Sequence, residues 1–600
     1  MISSQPTFRS QTYQPGDLHG IGFRTLSVRI IVSAVLFCVN LHSVTAQSDT
    51  SVRQKEAERI AVIQKIAPTV VCVMPASGEG GGSGVLISAD GYAISNYHVT
   101  SGSGNFMKCG LNDGRLYDAV IVGIDPTGDV ALIKLLGRDD FPCCVPGDSN
   151  NVAVGDEVLA LGDPFLLAAD FTPTTTFGIV SGVHRYQYPA GTFLEYTDCI
   201  QIDASINPGN SGGPLFDIRG RWIGINGRAS FEKRGRINSG AAYAISVNQV
   251  LLFVEHLKSG RIVDHARPDF TVTTSDGIAT IDQVSEISEA WRRGLRSGDE
   301  LVSFGGRSVN SANEFKNILG IYPEGIRVPF SYRNKTGVHH ATLRLGPLHG
   351  FQKAPELPGE HEVPPDEDPD QPEESRSNPV PEEHAHLFEQ KDGYTNFYFN
   401  RIRQEELLRA LKEQLTGSGE IGETWVGRIA APVSGQQQAG ELVIGPAGAG
   451  LQILNRPPAY QPWDDVDPEN ELPEFHGLLA ASLLWHRMFQ NDPASFSRVE
   501  YRGTEILLPS GEEVITLLIE DGTLTARWYF QTNSPLPVGV DVTIQAGTDE
   551  GRIRFSNWVT GQHVPWPERL GVVNNQTEQI SWLQLDRFET KDRADKNNGR

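Results

Sequence analysis

The sequence predicts a multidomain, mainly β chain. It consists of an all-β unit of paired barrels or a sandwich over residues 52–260, a smaller α+β unit over 261–348, an acidic linker over 349–386 and a β-rich α+β unit over 387–600. Three observations lead there. The chain has 600 residues, whereas a single hydrophobic core stops growing at about 250 to 300. From Thr69 to Leu252, short β-branched runs alternate with Gly, Asp, Asn and Pro, the mark of many short antiparallel strands. Further on, proline and acidic residues crowd a stretch with no apolar periodicity, which cannot bury enough surface to offset its ordering entropy and reads as a spacer.

Ahead of the first unit, an apolar run from Ile30 to Leu41 follows Arg24 and Arg29 and precedes Val44-Thr45-Ala46. At about a dozen residues it is shorter than the roughly 20 that span a bilayer. A positive flank, a short apolar core and small residues behind it predict a secretory signal over residues 1–46, cut after Ala46, with no membrane span once it is removed. Ile60, Ile63 and Ile66 among charged neighbours predict a helix over 52–66 that ends at Pro68.

Within the first unit the strand runs are Val70–Val73, Val85–Ser88, Tyr92–Ser95, Ala119–Ile124, Val130–Leu135, Val158–Leu161, Gly178–Val183, Ile200–Asp203, Leu215–Phe216, Trp222–Asn226 and Ala242–Ile245. The second unit mixes strands with helices near Ser288–Arg293 and Ala312–Leu319. Beyond the linker, the spacing of Leu407, Leu408, Leu411 and Leu415 predicts one amphipathic helix, and Phe475, Leu478, Leu479 and Phe489 another. Six strand runs follow, Val499–Leu508, Val514–Ile519, Leu524–Gln531, Val538–Gln545, Arg552–Trp558 and Ile580–Leu585. Turn signals such as Ser510-Gly511 and Asp521-Gly522 join them into an antiparallel meander. The aromatic residues of these strands read as packing residues.

Charge narrows the partners. The formal net charge is −23, but residues 354–384 hold eleven acidic side chains against Arg376 alone. No basic stripe is present, which argues against nucleic acid as a partner. After the signal, Cys72, Cys109, Cys143, Cys144 and Cys199 remain. An odd number excludes a complete disulfide framework and the spacings match no zinc site, so most are expected to be buried small residues with at most one disulfide.

The chemistry-bearing string is Asp203-Ala204-Ser205-Ile206-Asn207-Pro208-Gly209-Asn210-Ser211-Gly212-Gly213-Pro214, set between two strands. A nucleophilic serine needs a tight turn whose backbone N–H groups converge on a substrate carbonyl, with glycines that let the substrate approach. It also needs a base and a carboxylate that orients the base. Asn96-Tyr97-His98-Val99 follows a strand pair, and Asp125-Pro126-Thr127-Gly128-Asp129 precedes the run from Val130. Taken singly, His98 reads as structural and both aspartates as turn formers.

Together with Gly82-Ser83-Gly84-Val85, Gly147-Asp148-Ser149, Gly162-Asp163-Pro164-Phe165, Gly178-Ile179-Val180-Ser181 and Tyr243-Ala244-Ile245-Ser246, these motifs resemble, in order, the HtrA/Deg branch of trypsin-like serine proteases. The resemblance implies two perpendicular six-stranded β-barrels with the site between them. It implies His98 as general base, Asp129 as its orienting carboxylate and Ser211 as nucleophile, with the N–H groups of Gly209 and Ser211 as the oxyanion hole. Asp125 is left as the turn residue. Ser205 and the strand through Asn226 would bound the substrate pocket; neither place supplies a carboxylate, so small or medium apolar side chains are expected there rather than Arg or Lys. No cofactor or metal is implied.

The second unit resembles an α+β PDZ domain through Gly277–Val284, Ser288–Leu301 and Phe304–Val309. The family's carboxylate-binding turn would fall at Arg267-Pro268-Asp269-Phe270, where Pro268 removes a donor and Asp269 repels a carboxylate. A bound peptide and a structural role therefore both stay open. The resemblance further implies an endopeptidase acting outside the cytoplasm on unfolded or damaged proteins, assembled as a homotrimer or larger. A client-binding chaperone and a processing protease directed by residues 387–600 are the alternatives.

Overall fold

The short strand runs of the sequence close on themselves twice. In a computed structural model, residues 51–76, 80–163, 170–187, 194–231, 238–355, 380–415, 423–433, 435–490, 495–559 and 566–591 are described. The expected signal at 1–46 and the central part of the linker lie outside them. A helix, α1, covers residues 51–66 and passes into a 3-10 turn at Ala67–Thr69 that contains Pro68. No helix among the described residues is long and apolar enough to cross a membrane.

The first barrel contains β1 (Val70–Pro75), β2 (Gly82–Leu86), β3 (Tyr92–Ser95), β4 (Phe106–Gly110), β5 (Leu116–Asp125) and β6 (Val130–Leu135), closed in the order β1-β2-β3-β6-β5-β4. Alternating side chains send Val71, Val73, Leu86, Ala93, Ile121 and Ile133 inward, all buried. A short helix, α2 (Tyr97–Ser101), leaves β3.

The second barrel follows with β7 (Val145–Pro146), β8 (Glu157–Gly162), β9 (Thr174–Gln187), β10 (Tyr196–Ile202), β11 (Pro214–Asp217), β12 (Arg221–Phe231) and β13 (Asn238–Ser246). Six of these form a ring in the order β8-β9-β10-β13-β12-β11, closed by the pairing of β11 with β8, while β7 adds to β12. Closure leaves neither barrel a free edge. Helix α3 (Val247–Lys258) ends this part. The two six-stranded barrels are those that the family resemblance implies. β4 was missed because Phe-Met-Lys-Cys-Gly offers no β-branched residue.

Residues 270–344 build a separate antiparallel sheet in the order Phe270–Ser275, Ile278–Val284, Glu300–Phe304, Arg327–Asn334 and Gly337–Arg344. Its core gathers Phe270, Phe304, Phe315 and Phe330. Both expected helices are present, at Glu289–Arg292 and Ala312–Leu319, and both start at a serine cap. Ser288 Oγ accepts from Trp291 N at 3.2 Å and Ser311 Oγ from Glu314 N at 3.2 Å.

The last region is larger than the six-strand meander expected of it. Its sheet has eleven antiparallel strands, because Thr424–Val433, Gln436–Gly445, Gly448–Ile453, Ala459–Pro462 and Trp566–Val573 join the six. Four of the additional strands, from Thr424–Val433 to Ala459–Pro462, are rich in Gly, Ala and Gln, which have little strand propensity, and tertiary pairing overrides it. The helices Phe397–Leu415 and Leu478–Gln490 are present, the second without Phe475, which falls in a preceding 3-10 turn, Pro473–Phe475. Leu479, Leu483 and Trp485 share one core with Trp425, Trp528 and Trp566, so these aromatics pack the interior. All five described cysteines are free, with Cys143 exposed and the other four buried; the single disulfide allowed for is not formed.

Candidate active site

His98 is placed by the end of β3. Asn96 stays extended (φ −82°, ψ 150°) and α2 begins after it, which puts His98 in the first turn. The loop between β5 and β6 is clamped to this start, since Asn96 Nδ2 and Tyr97 N donate to the Asp129 carbonyl at 2.8 and 3.2 Å. Asp129 has φ 59°, a left-handed conformation that aspartate tolerates better than most residues. Its carboxylate is fully buried. Oδ1 accepts from His98 N at 3.0 Å and Oδ2 lies 2.7 Å from His98 Nδ1. With Nδ1–H donating, Nε2 keeps the lone pair that a general base requires.

Asp125, four residues earlier, serves another histidine. It is fully buried, accepts from Gly128 N at 2.8 Å and lies 2.9 Å from His265 Nε2. Burial pulls the His265 imidazole down, but the neighbouring Asp125 carboxylate raises it above its ordinary value.

Ser211 sits on the turn between β10 and β11. Asn210 N donates to Asn207 O at 3.0 Å and Gly213 N to Asn210 O at 3.1 Å. Gly212 has φ 83°, and a Cβ there would come within 2.1 Å of Ser83 O and 2.5 Å of Ser95 Oγ; only glycine fits. Ser83 of β2 pins this turn across the barrels. Its N–H donates to Ser211 O at 2.8 Å and its Oγ to Gly209 O at 2.6 Å, while Asp163 N donates to that Oγ at 2.8 Å. A Cβ on Gly82 would lie 2.7 Å from Val99 and 3.0 Å from Ser211 O, so the serine turn rests against the segment that carries His98. The Ser211 hydroxyl donates to Gly227 O at 3.2 Å. Among the described residues the N–H groups of Gly209 and Ser211 make no backbone hydrogen bond.

The family of trypsin-like peptidase domains matches residues 82–225, which carry all three of these side chains. This part of the chain is a trypsin-like peptidase domain. A probable periplasmic serine endoprotease of the DegP-like type from Marinomonas sp. (strain MWYL1) is 38% identical over 252 residues, covering 40% of this chain and 51% of the relative. Its counterpart from Chlamydia trachomatis serovar D is 34% identical over 259 residues, covering 41% and 50%. The chain thus spans about half the length of these curated relatives. A solved structure of the HtrA-type protease AlgW with a tripeptide is 28% identical, covers 48% of this chain and 96% of its own, and superposes with a TM-score of 0.40.

The trypsin-like domain treats the two expected pocket residues differently. Ser205 is exposed, and its carbonyl accepts from Thr176 Oγ1 at 3.0 Å. Asn226 is fully buried, and its Nδ2 donates to Leu161 O and Pro214 O, both at 3.2 Å. Its backbone exchanges hydrogen bonds of 2.8 Å with Gly212 and Gly213, so Asn226 braces the serine turn and offers a substrate no side chain. Ser83 and Tyr196, whose hydroxyl donates to Asp129 Oδ2, are the contributors that sequence reasoning did not single out. Ser83 lies inside the Gly82-Ser83-Gly84 motif; nothing local marks Tyr196.

On the neighbouring strands, Asp198 ties the peptidase domain to residues 270–344. Arg307 Nη1 and His184 Nδ1 lie 3.0 and 2.6 Å from its Oδ1, and Asn317 Oδ1 accepts from its N–H at 2.8 Å. Burial favours the protonated acid, yet the bonds from His184 and Arg307 hold the Asp198 carboxyl below the usual range. One group among the described residues, Asp118, Glu383 and His384, has the spacing of a metal site. Lys108 already neutralises Asp118 there, a cation that an ion would have to displace.

Proposed function

We propose that the chain is an exported serine endopeptidase that cleaves extended segments of unfolded or damaged proteins. The observation that carries this reading is the partly exposed His98 held 2.7 Å from the buried Asp129 carboxylate, beside a serine turn pinned across the two barrels by Ser83. In this reading His98 Nε2 takes the proton of the Ser211 hydroxyl as Oγ attacks the scissile carbonyl. The N–H groups of Gly209 and Ser211 receive the oxyanion. The imidazolium, held by Asp129, then passes its proton to the leaving amine, and water repeats the cycle on the acyl-enzyme. An exposed Ser205 and the lack of a pocket carboxylate support a preference for small or medium apolar side chains; cleavage of a peptide library after Arg or Lys would refute that.

Residues 1–46 as a signal, together with relatives named periplasmic, support action outside the cytoplasm. Residues 261–348 fit a PDZ-like domain in which Asp269, with φ 58° and its carboxylate 3.2 Å from Arg267 Nε, occupies the turn a peptide terminus would need. A homotrimer is the assembly this reading favours. The test of the chemistry is direct. Wild type is expected to digest denatured casein and to be labelled by a fluorophosphonate, while Ser211→Ala does neither. An unlabelled wild type that still suppresses aggregation would favour a client-binding protein instead.

A further inference from the structure

The carboxylate of Asp129 has more than one polar neighbour. Besides the two nitrogens of His98, the Tyr196 hydroxyl donates to Oδ2, the same oxygen that faces His98 Nδ1. Tyr196 is the first residue of β10, is 2% exposed and lies 67 residues from Asp129. The strand is tied to the same loop by Glu195 N, which donates to Thr127 O at 2.8 Å. An ionised carboxylate with no access to water needs donors for its remaining lone pairs, and each one fixes its plane.

The ring reaches this place because of Gly227. A Cβ at 227 would stand 2.6 Å from Tyr196 Cε1 and 3.1 Å from its hydroxyl oxygen. Gly227 is also the residue whose carbonyl accepts the Ser211 hydroxyl, at 3.2 Å. One aromatic side chain therefore touches the carboxylate on one side and the support of the nucleophile on the other. The other titratable groups packed on the loop are Asp125 with His265, His349 with Asp264, and Glu195, and none of the hydrogen bonds between them reaches the Asp129 carboxylate.

We propose that Tyr196 is a positioning residue for the acid–base pair, its hydroxyl fixing the Asp129 carboxylate, and that residue 227 is glycine so that the ring can lie there. The inference rests on the reading of His98, Asp129 and Ser211 given above. Removing a hydrogen bond to a charged group costs about a ten- to hundredfold factor. Tyr196→Phe is therefore expected to lower kcat per fluorophosphonate-titrated site by that factor on a fluorogenic peptide, with KM unchanged. The acidic limb of kcat/KM moves to higher pH, because a carboxylate relieved of the tyrosine donor keeps more charge and holds the imidazolium more strongly.

Loss of packing alone would reduce the number of titratable sites and leave the limb where it was. Rescue separates the two further. In Tyr196→Ala/Gly227→Ser the new hydroxyl hangs from a Cβ 3.1 Å from the vacated oxygen position, and it is expected to recover part of the kcat lost in Tyr196→Ala. If Tyr196→Phe gives no soluble protein, Gly227→Ala makes the test from the other side, since its methyl group displaces the ring; the same loss and the same limb shift are expected. A wild-type kcat and limb in Tyr196→Phe, or in Gly227→Ala, would overturn the inference while leaving the triad reading intact. A wild type that is not labelled at Ser211 would overturn both.

Discussion

Asp125 and Asp129 share one turn, and each holds a histidine, so substitution tells them apart. Asp129 lies against His98, whose neighbour Val99 meets Gly82 where the Ser211 carbonyl does; Asp125 lies against His265, outside the site. Asp129→Asn is expected to leave the barrel folded and to lower kcat by about three to four orders of magnitude, because an amide favours the wrong tautomer of His98. Asp125→Asn should retain most of kcat and instead destabilise the fold by about 1–3 kcal/mol, since His265 is buried against it. Kinetics on a fluorogenic peptide and thermal melts of both variants decide the matter; equal losses of kcat would mean that the turn is one catalytic unit. Of these residues Ser211 was legible from its twelve-residue string, while His98 and Asp129 were legible only through their order along the chain. Tyr196 was not legible, because its role depends on a partner 67 residues away and on the missing side chain of Gly227.

Among the elements, those with capping or heptad-like signals were readable and those built on small residues were not. The helices after Ser288 and Ser311 announce themselves by the cap serine, whereas Thr424–Val433 and Gln436–Gly445 are strands because they pair with each other over nine positions. The helix Leu478–Gln490 shows how much a cap can matter. Glu471 is 6% exposed; its carboxylate accepts from Ala480 N at 2.9 Å and from Gly477 N. Burial pushes its acid up to about 7 from 4.5, against the pull of those backbone donors. A raised folded value means stability that is full below about pH 4.5 and is lost as pH rises through about 7. The loss is on the order of 3 kcal/mol. The urea midpoint of the C-terminal region, followed by tryptophan fluorescence, is therefore expected to fall between pH 5 and pH 8. In Glu471→Gln, which keeps one acceptor for the helix, that fall should disappear. A pH-independent midpoint in wild type would show that Glu471 ionises freely in the fold.

For the molecule as a whole, what joins the sheets is charge that has been taken out of water. Arg502 of the strand Arg498–Leu507 lies 2.5 Å from Glu324, in the region 270–344, and 2.9 Å from Glu500. Arg261, just beyond α3, meets both carboxylates, and Tyr394 donates to Glu500 at 2.8 Å. Against burial, Arg502 and Arg261 hold Glu500 down at about 2 and Glu324 lower still. Such a cluster adds little net stability while complete, but removing one partner strands buried charge at a cost of about 3–5 kcal/mol. Close packing supports the same junction, where a Cβ on Gly503 would stand 2.8 Å from the backbone of Glu255 and His256. Wild type is therefore expected to melt in one calorimetric transition. Arg502→Met should release the C-terminal region as a separate transition at lower temperature, with new protease-sensitive sites near Tyr394. Acid gives an independent reading of the same junction. The stabilisation from Glu500 is present above about pH 4.5 and lost as pH falls through about 2, so docking in wild type persists well below pH 4. In the variant the loss should move up into the ordinary carboxylate range near pH 4 to 5. A single unshifted transition at both pH values would mean that the apolar contacts around α3, and not the ion cluster, hold the regions together.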